Sequence, residues 1–108
     1  KINTRTGFIR IIPSEIIYLK AEGNYCDFYL TGDRFETVTK SMNKVSENLN
    51  CKKFFRISRF NIINLSYLIK VERRTRSCIL LYNQKKIELK ISKECVKLLE
   101  YKIENSTI

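Results

Sequence analysis

The 108-residue chain has no histidine, no tryptophan and a single proline. Without histidine it lacks the usual general base, the commonest metal ligand and every histidine-based triad. Catalysis by lysine or a carboxylate would need a paired constellation, and none is visible, so the chain does not read as an enzyme. The four cysteines, Cys26, Cys51, Cys78 and Cys95, form no Cys-x-x-Cys pair. That argues against a zinc knuckle or a redox motif and for reduced, partly buried thiols. No apolar run approaches the ~20 residues that span a bilayer. The amino end, Lys1-Ile-Asn-Thr-Arg5, lacks the apolar core of a signal peptide. The expectation is a cytoplasmic domain with no cofactor, metal or membrane partner. Because the chain does not begin with methionine, it also reads as part of a longer protein.

What it has in excess is positive charge, +10 net from 21 basic and 11 acidic residues. The charge is concentrated, since residues 51–76 hold eight basic residues against one acidic one. A basic field this dense attracts a polyanion and steers its approach. An anionic membrane would more often be met by a basic amphipathic helix, and this segment reads as strands.

Within that segment lies Phe54-Phe-Arg-Ile-Ser-Arg-Phe-Asn-Ile-Ile-Asn-Leu65. Its apolar residues predict two short buried strands, and its polar ones crowd the connection between them. Arginine offers a rigid fork that fits phosphate or a guanine edge. Asn64 reads as pinning its own turn, and the Arg56 stem as able to pack on the core. By themselves these residues allow two readings, a basic recognition loop or a plain strand pair with solvated arginines.

The rest of the chain predicts many short strands and two helices in one domain, residues 1–108. Lys1–Thr6 reads as loose. Strands are expected at 8–12, 16–21, 25–30 and 35–39, separated by Pro13-Ser14, Gly23-Asn24 and the Thr31–Arg34 hairpin. The run at 16–21 is apolar enough to be buried on both faces. Met42, Val45 and Leu49 share one face of a short helix capped from 39–41, which would cover the sheet. Further strands are expected from 67 or 68 to 72, at 77–82 and at 87–91. Arg73, Arg74 and Arg76 stand at a hairpin tip, as phosphate candidates. Ser92 is placed to cap a last helix over 93–104, with Lys93 in its first turn against the preference of the helix dipole. A tail covers 105–108. No repeat, low-complexity tract, strand–helix alternation or helix-turn-helix is present.

The order of these motifs resembles the LytTR-type DNA-binding domain of bacterial response regulators. The likeness runs over about residues 8–103. It rests on Ile16-Ile-Tyr-Leu with Asn24-Tyr25, on the helix at 42–49 before Phe54-Phe55, and on Phe54-Phe-Arg-Ile-Ser-Arg-Phe closed by Ile63-Asn64-Leu65. Ile91-Ser92-Lys93 before the last helix completes it. The sequence departs from the family pattern in having Ser58 for a histidine, Phe60 for a serine, Lys93 for an arginine and Gln84 for a glycine. Serine cannot make the contact of a histidine, and lysine lacks the bidentate fork.

The resemblance implies a mainly β, elongated antiparallel fold of small packed sheets, with one short inserted helix and a C-terminal helix. It further implies sequence-specific duplex DNA binding by loops inserted into the major groove at repeated sites. Asn24, Tyr25, Ser58, Arg59 and Lys93 become base-reading candidates, and Arg56 joins the phosphate candidates. An upstream receiver domain, a histidine kinase and a homodimer or adjacent monomers on paired sites are implied partners. The competing class is a β-rich single-strand or RNA binder stacking bases on Tyr25, Phe28, Tyr29 and Phe60.

Overall fold

The computed structural model describes residues 2–105. Ten strands lie in three antiparallel sheets, with two helices. A ribbon pairs β1 (Ile2–Asn3) with β2 (Phe8–Ile9). The central sheet has the order β5-β4-β3-β7-β6, built from β3 (Ile16–Glu22), β4 (Tyr25–Leu30), β5 (Arg34–Val38), β6 (Phe54–Arg56) and β7 (Asn61–Asn64). A third sheet, β10-β9-β8, contains β8 (Leu68–Glu72), β9 (Ser77–Tyr82) and β10 (Lys85–Lys90). Helix α1 (Met42–Ser46) is inserted between β5 and β6, and α2 (Lys93–Glu104) closes the described chain. The molecule is elongated, 41 × 28 × 24 Å. No helix among the described residues is long and apolar enough to cross a membrane.

Two apolar clusters hold this together, and β3 belongs to both. Ile16 and Leu19 pack with Cys26, Phe28 and Leu30 of β4 beneath Met42 and Val45 of α1. Ile17 faces the other way and packs with Ile63, Leu80 and Leu99, joining the central sheet to the third sheet and α2. A register shift between Ile16 and Tyr18 accompanies this change of side. The apolar run of β3 therefore reflects a strand covered on both faces.

Buried polar groups are paired. Asn64 Nδ2 donates to Ile16 O at 2.8 Å, and its Oδ1 accepts from Ser66 N at 2.9 Å, so it fixes the turn after β7. All four cysteines are free thiols. Burial pushes the Cys26 thiol up to about 12 and the Cys78 thiol to about 11. Because burial raises these values, the stability they contribute is complete below the ordinary thiol range and is lost as pH climbs through 11 and 12.

Several boundaries differ from the sequence reading. Ile2–Asn3 is a strand rather than loose chain, because it closes on Phe8–Ile9; Lys1 lies outside the described residues. The strand expected to run to Ile12 stops at Ile9, ahead of a 3-10 turn at Pro13–Glu15. Helix α1 ends at Ser46, and Leu49 packs on the core from the turns beyond it. Ser41 caps α1 with its side chain, whereas Ser92 occupies the cap position of α2 without a side-chain cap bond. Asn105 is the C-cap of α2, and the expected tail at 106–108 lies outside the described residues.

The hairpin β9–β10 begins its return at Lys85, two residues early, because Asn83 and Gln84 make the whole turn at φ 52° and 66°. This left-handed pair suits the twist of a two-residue hairpin, but Gln84 pays a steric cost there that glycine avoids. Gln84→Gly is expected to raise stability by about 0.5–1 kcal/mol, read as a higher midpoint in denaturant at unchanged slope.

Candidate nucleic-acid interface

The strand directions bring five connections to one end of the molecule. In the central sheet these are β3–β4 (Gly23-Asn24), β5–α1 (Thr39–Ser41) and β6–β7 (Ile57–Phe60). In the third sheet they are β8–β9 (Arg73–Arg76) and β10–α2 (Ile91-Ser92). Backbone bonds lock the two sets side by side. Ser92 N donates to Ile57 O at 2.8 Å, and Ile91 N donates to Arg76 O at 2.9 Å. Ala21 N donates to Phe60 O at 2.8 Å, tying the end of β3 to the same place. At the opposite end Gly32 N donates to the Tyr82 hydroxyl at 2.7 Å, which fixes the sheets' common polarity.

These five connections contain Lys40, Arg59, Arg73, Arg74 and Arg76, and no acidic residue. Arg56 ends β6 and Lys93 begins α2 beside them. Seven of the chain's 21 basic residues, five of them from residues 51–76, therefore lie at this end, which is what a polyanion site needs.

The side chains differ in what already holds them. Arg56 is half-buried, and its guanidinium is a brace: Nε donates to Ser58 O at 3.1 Å, one terminal nitrogen to Arg59 O at 3.0 Å, and the other to Asn43 Oδ1 of α1. Ser58 Oγ accepts from Phe60 N at 3.1 Å and from Asn61 N at 3.2 Å. The connection at 57–60 is thus rigid before anything binds. Arg59 is exposed, with its guanidinium carbon 4.8 Å from the centre of the exposed Phe60 ring. Arg73 is paired with Glu100 of α2, whose hydrogen bond and charge raise its pKa further. Arg74, Arg76 and Lys93 are exposed and have no side-chain partner among the described residues.

Asn24 and Tyr25, both exposed, lie at this end too. Asn24 shares a shallow groove with Lys40 and Lys44, two cations that the sequence reading passed over. Their signal was available only as position: Lys40 precedes and Lys44 follows the α1 cap residue, Ser41. Asn43, also passed over, carries no sequence signal for its role as the partner of Arg56.

A stacking platform for single strands needs an open aromatic face. Phe28 is only 1% exposed, and Tyr29 is stacked on Tyr18 at 4.3 Å, so two of the four rings that such a platform would use are occupied within the fold.

The family model for the LytTr DNA-binding domain matches residues 6–104. Among solved structures, the chain is similar to a protein described as the LytTr DNA-binding domain of a methyl-accepting/DNA response regulator from Bacillus cereus. The two share 18% identity at a TM-score of 0.73, over 94% of this chain and 92% of the other. No curated protein matches the chain.

Proposed function

Since this chain belongs to the LytTR DNA-binding domain family, we propose that it reads duplex sequence by entering the major groove with its basic edge. The observation that carries this reading is the set of five connections with five cations and no acid. Arg59 stands at the centre of that edge and is the principal base reader, with Asn24, Tyr25 and Lys93 on either side. Ser58 shapes the connection that presents Arg59, since its hydroxyl already accepts two backbone N–H groups. Arg74 and Arg76 hold phosphates, joined by Arg73 if DNA draws it from Glu100. Arg56, a phosphate candidate by sequence, acts through the carbonyls of Ser58 and Arg59.

The chain is then the C-terminal effector domain of a cytoplasmic regulator with a receiver domain upstream, answering to a histidine kinase. Two copies occupy paired sites, as a dimer or as adjacent monomers. Phosphorylation raises the local concentration of effector domains on DNA, and avidity gives the switch its steepness.

In vitro selection of bound duplexes from a random pool tests the reading. A repeated enriched motif at fixed spacing is the expected result; recovery without enrichment, or tighter binding of single strands at the same salt, would reject it. Arg74→Ala is expected to weaken binding to all sequences alike and to reduce the slope of log affinity against log salt by about one unit. Titrating selected and scrambled duplexes at several salt concentrations checks this.

A further inference from the structure

We propose that Phe60 is a further specificity determinant, its ring recognising the 5-methyl group of a thymine adjacent to the base read by Arg59. The inference rests on the proposed role of Arg59 as a base reader. Phe60 is 54% exposed and belongs to neither apolar cluster of the fold. Such a ring among cations contributes little to the folded core, yet its backbone is fixed on both sides. Its N–H donates to Ser58 Oγ, and its carbonyl accepts from Ala21 N. The ring is therefore presented by rigid chain, at the connection where the central sheet meets the third sheet.

The second observation is the pairing with Arg59, whose guanidinium carbon lies 4.8 Å from the ring centre. The two side chains form one unit, a cation packed on an aromatic face. When the fork of such an arginine lies on a guanine edge, a ring packed against the fork is carried to the neighbouring base pair. Thymine alone among the bases offers a methyl group in the major groove, and apolar side chains are its usual partners. The pair thus fits a guanine beside a thymine.

Deoxyuridine differs from thymidine only by that methyl group and supplies the test. The probe is the duplex recovered by selection with the wild-type chain, with each thymine next to a selected guanine replaced in turn by deoxyuridine. Wild type should lose about fourfold in affinity at one position, the effect of one buried methyl group. Phe60→Ser should be indifferent to the replacement, while Phe60→Leu, which keeps an apolar contact, should remain sensitive. Thermal unfolding of both variants should match wild type, since the ring is outside the core. Indifference of wild type to every replacement would overturn the proposal, as would equal sensitivity of Phe60→Ser, or a selected motif without an adjacent thymine. If selection enriches no motif, base reading by Arg59 fails first; an enriched motif with no methyl dependence removes Phe60 alone.

Discussion

Arg59→Ala is expected to weaken binding to the selected duplex by about 1–3 kcal/mol and to flatten the preference at one base pair. The size follows from what a bidentate arginine contributes against the wrong base. The flattening follows from geometry: Arg59 is exposed at the tip of a braced connection, and its guanidinium lies over the Phe60 ring. Among the described residues no hydrogen bond depends on its side chain; Arg56 grips its carbonyl, which alanine retains. Thermal stability should therefore stay within about 0.5 kcal/mol of wild type, the usual range for surface substitutions. Competition of the selected duplex against single-base variants, at one salt concentration, gives the readout. Arg74→Ala is the control, because it removes a charge from the same edge at a residue proposed to meet phosphate rather than a base. If the two variants lose affinity equally on every sequence, Arg59 serves as a phosphate contact and the division of roles is wrong.

Much of the fold was legible because the strands obey local rules. β4, β9 and α2 fall where periodicity and turn residues put them: Gly23-Asn24 ahead of β4, the arginine tip ahead of β9, Ser92 ahead of α2. Positive φ at Gly32 was readable because a Thr-Gly-Asp tip between apolar runs needs it. The turn at Asn83-Gln84 was less so, since glutamine rarely takes that conformation and nothing in its type announces it. Strand β1, and with it the pairing to the expected strand at Phe8, escaped notice because a two-residue strand has no period to read.

The candidate edge was legible residue by residue and illegible as a surface. Charge counting found the arginines. It could not show that Arg73 faces Glu100 or that Arg56 faces Asn43, because those partners lie 27 and 13 residues away. Nor could it bring Asn24 to Arg59. That proximity comes from antiparallel pairing of β3 with β7, Lys20 opposite Asn61, which is a long-range register and not a local signal.

Arg56→Ala is expected to cost on the order of 1–3 kcal/mol in affinity for the selected duplex while leaving the salt slope unchanged. Three of its N–H donors are already committed: to Ser58 O, to Arg59 O and to Asn43 Oδ1. Two of these bonds hold the connection that carries Arg59, and the third anchors it to α1. Without them the connection must be ordered when DNA binds, and that entropy is subtracted from affinity. A phosphate contact behaves differently, since its removal lowers the slope by about one unit and spares base preference. Arg56→Lys separates the cases further. Lysine keeps the charge but cannot reach three acceptors with a planar fork. As a brace, Arg56→Lys should therefore fall with alanine, and as a phosphate contact it should fall near wild type. Asn43→Ala should show a smaller loss of the same kind, and the double substitution Asn43→Ala/Arg56→Ala should cost less than the two single losses added, because both remove one shared bond. Salt titrations on the selected duplex for all four variants, with thermal unfolding to confirm that the core is retained, measure each of these quantities. A reduced slope in Arg56→Ala together with wild-type binding by Arg56→Lys would return Arg56 to the phosphates.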